Sequence, residues 1–123
     1  MAAKKPATQD LGHKAEQQAC RFLQQRGLKT LAQNYRCRYG EIDLVMQDDN
    51  EDLVFVEVRY RKSGLFGTAA DSIDQRKQNK LRKTAEHFLQ HHPKLAKLPS
   101  RFDVIAIQGN AEYAQCEWLQ NAF

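Results

Sequence analysis

Two carboxylates, Asp43 and Glu57, stand on two short strand-like runs that a turn should lay side by side. The runs read Gly40-Glu41-Ile42-Asp43-Leu44-Val45-Met46 and Leu53-Val54-Phe55-Val56-Glu57-Val58-Arg59-Tyr60-Arg61. Between them lies Gln47-Asp48-Asp49-Asn50-Glu51-Asp52, a polar stretch suited to a hairpin. Strand side chains alternate, so Phe55, Glu57 and Arg59 share one face and Val54, Val56 and Val58 the other. Glu57 is then an acid within an apolar strand. A buried carboxylate needs a cation, a hydrogen bond or a proton. With Asp43 on the neighbouring strand, the cheapest partner is a divalent metal.

Asp43 and Glu57 are 13 residues apart in the intervening sequence, room for half of each strand and the hairpin. The pair, followed by a cation at Arg59, suits phosphodiester hydrolysis. Carboxylates hold Mg²⁺ or Mn²⁺ through one or two oxygens and leave water in the remaining positions. Such a metal activates water and neutralises charge on a phosphate. Arg59, on the same face as Glu57, could contact that phosphate. Glu41 shares a strand face with Asp43 and is an extra candidate ligand. Its structural alternative is a salt bridge to Arg38 or Arg61.

These strands need elements to position them. Residues 10–26 read as a helix, with Ala15, Ala19, Phe22 and Leu23 on one face, Asp10 able to cap it and Gly27 ending it. Leu28 to Arg36 reads as a strand of mixed pattern. Tyr60 to Thr68 reads as a loop carrying Leu65 and Phe66. Residues 71–92 read as a second helix, with Asp71 or Ser72 as its cap and Pro93 as its stop. Phe102–Ile107 and Gln115–Leu119 are two further strands. The order αβββαββ predicts an α/β fold. Three meandering strands and a helical crossover imply a mixed sheet, with strands 53–61 and 102–107 parallel and a helix on each face.

Composition bounds the function. The 123 residues suit one domain, 10–123, preceded by a short basic tail at 1–9. No apolar run approaches the roughly 20 residues of a membrane span. The N-terminus lacks the apolar core of a signal peptide, so a cytoplasmic protein is expected. Cys20, Cys37 and Cys116 form no CxxC pair, which argues against zinc, and Cys20 sits in a helical pattern as a small core residue. The net charge is +4 and concentrated. Arg36, Arg38, Arg59, Arg61 and Lys62 flank the carboxylate strands, and Arg76, Lys77, Lys80, Arg82 and Lys83 crowd the second helix. Basic groups bracketing an acidic pair suit a phosphate backbone approaching a metal, so nucleic acid, DNA first, is the expected partner. A solvated basic surface is the plain alternative.

Several side chains admit two readings. Lys77, between Ile73 and Leu81, could reach the carboxylates or snorkel over the core edge. Glu16 taken alone is a surface acid pairing with Lys14 or Arg21. His87 and His91 have a metal-capable spacing but no HExxH acid, and read as a solvated helix end. Tyr35, Tyr39 and Tyr60 could stack on unpaired bases or cover the sheet edge. Trp118 reads as a core or edge-packing residue.

Gly12-x-x-x-Glu16, Gly40-Glu41-Ile42-Asp43-Leu44, Val56-Glu57-Val58-Arg59-Tyr60-Arg61 and Arg101-Phe102-Asp103-Val104, in that order, resemble the YraN family of small bacterial proteins. That family looks like a branch of the restriction-endonuclease-like nucleases, similar to archaeal Holliday-junction resolvases. The resemblance implies a restriction-endonuclease-like mixed sheet flanked by helices. It also implies a metal-dependent endonuclease acting on branched or single-stranded DNA, and a homodimer, since a four-way junction is two-fold symmetric. Glu16, Asp43, Glu57 and position 59 fall where those nucleases keep a helix carboxylate, two metal ligands and a lysine. Here position 59 is Arg, which cannot act as a general base. Water activation would then fall to the metal alone or to Lys77. The rival expectation is a non-catalytic nucleic-acid-binding module with a degenerate site.

Overall fold

The computed structural model describes residues 7–61, 73–109 and 115–123. Helix α1 spans Ala7–Gln25, followed by strands β1 Lys29–Cys37, β2 Gly40–Gln47 and β3 Leu53–Arg61. Helix α2 spans Gln75–Gln90, and strands β4 Ser100–Gln108 and β5 Gln115–Leu119 close the chain. The strands form one sheet in the order β1-β2-β3-β4-β5, antiparallel except for the parallel β3–β4 pair. The α/β order and the mixed sheet are those expected from the sequence, and they are consistent with a nuclease-like fold.

Two apolar layers sandwich the sheet, one per face. Ala15, Ala19, Cys20 and Leu23 of α1 pack on Leu44, Met46, Val54, Val56, Ile105 and Ile107. Leu81, Ala85 and Phe88 of α2 pack on Ile42, Val45, Phe55, Val104 and Ala106. The small residues of α1 let that helix lie close to the strands. Phe88, 2% exposed, makes edge contacts with both Tyr35 and Phe55. A buried phenyl of this kind contributes about 1.5–3 kcal/mol. Alternation along β3 puts Phe55 with α2 and Val54, Val56 and Val58 with α1, as expected.

Element ends differ from the sequence reading in local ways. Helix α1 is already helical at Ala7, so Asp10 lies inside it rather than at its cap. Its C-terminus closes as expected at Gly27, whose φ of +93° suits glycine, with Leu28 N–H donating to Leu23 O at 3.1 Å and Gly27 N–H to Gln24 O at 3.0 Å. The cap of α2 is Asp74, whose side chain accepts from Lys77 N–H at 2.8 Å, displacing the expected Asp71 or Ser72. A cap must sit within three residues of the first free N–H groups, and the helix starts later than expected. Asp71, Ser72, Leu65 and Phe66 lie outside the described residues.

Candidate active site

The site forms where β2 leaves β3. The β2–β3 ladder runs from Gln47↔Leu53 to Leu44↔Val56 and stops there. Beyond it, β2 stays paired with β1 through Ile42↔Tyr35 and Glu41↔Arg36, while β3 stays paired with β4 to Arg61↔Gln108. The two strands therefore diverge at Asp43 and Glu57. Asp43 fills the fork: its Oδ2 accepts the Val58 N–H at 2.8 Å, satisfying a backbone donor that the broken ladder leaves without a strand partner.

Asp43 and Glu57 face one cleft of ≈ 230 Å³, also lined by Gly40, Glu41, Lys77 and Lys80. Glu57 is buried, and Lys77 Nζ reaches its Oε1 at 3.2 Å. Arg59 Nε lies farther off, at 3.9 Å from the same oxygen. Capping fixes the geometry of this contact. Asp74 holds the first turn of α2 in register, and Lys77, the residue whose N–H it accepts, extends from that turn to Glu57. Of the two readings for Lys77, the structure shows the one in which it meets the carboxylates.

Glu16 enters from α1. Its carboxyl lies beside that of Asp43, so that each bears on the other's ionisation. The Asn34 amide, oriented with its nitrogen toward the acids, donates to Glu16 Oε2 at 2.8 Å and to Glu41 Oε1 at 3.0 Å. Asn34 holds a left-handed φ of 52°, a conformation asparagine tolerates. Glu41 also pairs with Arg36 Nε at 3.3 Å, its cross-strand neighbour. The salt bridge expected from Arg38 or Arg61 is thus made by Arg36, because antiparallel pairing sets those two residues opposite one another.

The electrostatics are dominated by crowded acids. Burial, and then the neighbouring Glu57 charge, push Asp43 up to about 8 against the pull of the Val58 N–H. Glu16 is raised by burial, against its hydrogen bond to Asp43. An ensemble of this kind keeps a proton near neutral pH, or takes up a cation in its place. Among the described residues, no group of three His, Cys, Asp or Glu side chains forms a metal-holding cluster. A cation here would rest on two carboxylates, with water completing its shell.

The remaining candidates are dispersed. Arg76, Lys80 and Lys83 are exposed along α2, and Arg36 and Arg38 are exposed near the β1–β2 turn. The side chain of Arg61, and Lys62 entirely, lie outside the described residues. His87 is not a solvated end: its Nδ1 hydrogen-bonds to the Tyr35 hydroxyl, and its ring stacks on His91. The Tyr60 hydroxyl donates to Gly109 O at 2.9 Å. Tyr39 is exposed. Sequence reading passed over Asn34, whose only signal was a polar residue in a strand of mixed pattern.

Residues 15–107 match the family described as "Uncharacterised protein family UPF0102". A UPF0102 protein of Nitrosococcus oceani is 50% identical over 120 residues, covering 97% of this chain and 96% of its own length. One from Nitrosomonas eutropha is 53% identical over 117 residues, covering 95% and 96%. One from Saccharophagus degradans is 51% identical over 114 residues, covering 93% and 92%. Among the described residues no helix is long and apolar enough to cross a membrane.

Proposed function

This chain belongs to the UPF0102 family, and we propose that it is a DNA-binding protein that hydrolyses phosphodiester bonds with a divalent cation. The observation that carries this reading is the convergence of Asp43, Glu57 and Lys77 on one cleft, with the Glu16 carboxylate close to Asp43. The donor set is hard oxygen, which fits Mg²⁺ or Mn²⁺ rather than a thiophilic metal. The crowding fits as well, since Asp43 is held near pH 8 by burial and by a like charge that a cation would offset. Asp43 and Glu57 would hold the ion. Once bound, it would lower the pKa of water and offset phosphate charge.

The chain's own side chains have separable tasks. Lys77 is already within 3.2 Å of Glu57 and can exchange that contact for a phosphate oxygen or the attacking water. Arg59, fixed in charge, offsets phosphate charge and does not take the water's proton. Glu16 and Asn34 orient Asp43 and Glu41 from α1 and β1. Exposed Arg76, Lys80 and Lys83 supply a basic approach for the backbone.

A second reading has its own observation. Lys77 and Arg59 both approach Glu57, which partly neutralises the site without any metal. On that reading the cleft is a charge-balanced relic within a DNA-binding module. Incubation with linear duplex, single-stranded and four-way-junction DNA in Mg²⁺ or Mn²⁺ separates the two. The first reading expects cleavage that Asp43→Asn abolishes while salt-sensitive DNA binding persists. Binding without cleavage of any form supports the second.

A further inference from the structure

Beyond the carboxylate cleft lies a niche of ≈ 240 Å³, lined by Tyr39, Lys83, Glu86, His87 and Gln90. It adjoins the cleft along two elements. Tyr39 precedes Gly40 of the cleft wall, and Lys83 follows Lys80 by three residues, about one turn or 5 Å along α2. Tyr39 is 36% exposed. Arg38 packs on it: the guanidinium lies 4.8 Å from the ring centroid, and Nη2 donates to the hydroxyl at 2.7 Å. His87 stands edge-on to Tyr39 at 6.3 Å, fixed in turn by the Tyr35 hydroxyl and by stacking 4.4 Å from His91.

We propose that this niche takes an unpaired nucleobase, with Tyr39 as the stacking platform and Glu86 and Gln90 as edge contacts. The inference rests on the reading of the cleft as a DNA-binding site and names what that DNA must offer. A phosphate is a poor occupant, because the Glu86 carboxylate would oppose it. A base presents a π-face to Tyr39, amino groups that Glu86 can accept from, and acceptors that Gln90 can donate to. Lys83 and Arg38 then meet the flanking backbone. A base stacked within a duplex cannot enter, so the niche selects strands with a base already free. Tyr35 and Tyr60 do not share this role, as neither lines the niche.

The test is metal-free fluorescence anisotropy with a labelled short single strand and with its duplex. Tyr39→Ala should weaken single-strand binding at least about fivefold, while Tyr39→Phe, which keeps the π-face, stays within about twofold of the parent. Duplex binding should change little in either variant. Single-strand binding unchanged in Tyr39→Ala, or lost equally from the duplex, overturns the proposal. A parent that binds neither DNA removes the DNA-binding reading and this inference with it. A parent that binds single strands through Tyr39 yet cuts nothing sustains the inference and removes only the catalytic reading.

Discussion

Asp103 and Asp43 both stand on strands of this sheet, and their surroundings are opposite. Asp103 of β4 is fully buried and ringed by donors. Arg101 Nε donates to both its oxygens at 3.1 and 3.2 Å, Trp118 Nε1 to Oδ2 at 2.9 Å and Asn121 N–H to Oδ1 at 2.9 Å. Arg101 also reaches Asp48 at 3.0 Å, tying the β2–β3 hairpin to β4. Asp43 of β2 receives one backbone donor and faces Glu16, Glu41 and Glu57. The first arrangement holds the fold together. The second stores unfavourable charge in a cleft open to solvent. Structural acids are satisfied from within, whereas a working site keeps an unmet demand that a ligand can answer.

The largest test of this contrast removes the satisfied acid. Asp103→Ala leaves Arg101 Nε and the Trp118 indole without their acceptor, and should cost about 3–5 kcal/mol in urea unfolding. A loss as small as that of an exposed substitution would mean the network is dispensable.

The unsatisfied acid predicts the reverse sign. Folding raises Asp43 to about 8, so the native state binds its proton more tightly than the unfolded chain. Its contribution is complete below the unfolded value near 4 and is lost as pH climbs to about 8. Across that window the metal-free parent should lose about 1.4 kcal/mol per pH unit relative to Asp43→Asn. Asp43→Asn should therefore be the more stable protein at pH 9. Parallel stability profiles would contradict the crowding.

A cation sharpens the contrast further. Mg²⁺ or Mn²⁺ at tenfold above its dissociation constant should stabilise the parent by about 1.4 kcal/mol, read as a rise in Tm. Glu57→Gln and Asp43→Asn should show little of that rise. An effect confined to the fold belongs to one spoke of the Asp103 network. Trp118→Phe keeps the ring against Phe22 and loses one hydrogen bond to a charged acceptor, costing about 1.5–3 kcal/mol within the fold.

The two sites also differ in how far sequence revealed them. Asp43 and Glu57 were legible because period-two alternation and a polar turn bring them together across a single hairpin. Lys77 was half-legible: helical spacing aimed it at the sheet, but only the Asp74 cap set its turn against Glu57. Glu16 came from family resemblance alone, since its meeting with Asp43 depends on how α1 lies across the sheet. The Asp103 network was not legible beyond its membership of a motif. Its partners come from positions 48, 101, 118 and 121, united only by the parallel β3–β4 crossover and the β5 return. Asn34 was hidden for the same reason. Its role follows from a backbone twist at φ 52° that residue type alone does not announce.

The most direct measurement is Mn²⁺ binding followed by electron paramagnetic resonance in the parent, Asp43→Asn and Trp118→Phe. The account predicts saturable binding in the parent, its loss in Asp43→Asn and its retention in Trp118→Phe, with parent affinity rising as pH approaches 8 because the ion displaces the Asp43 proton. Binding that survives Asp43→Asn, or a parent that binds no Mn²⁺ at any pH, would contradict it.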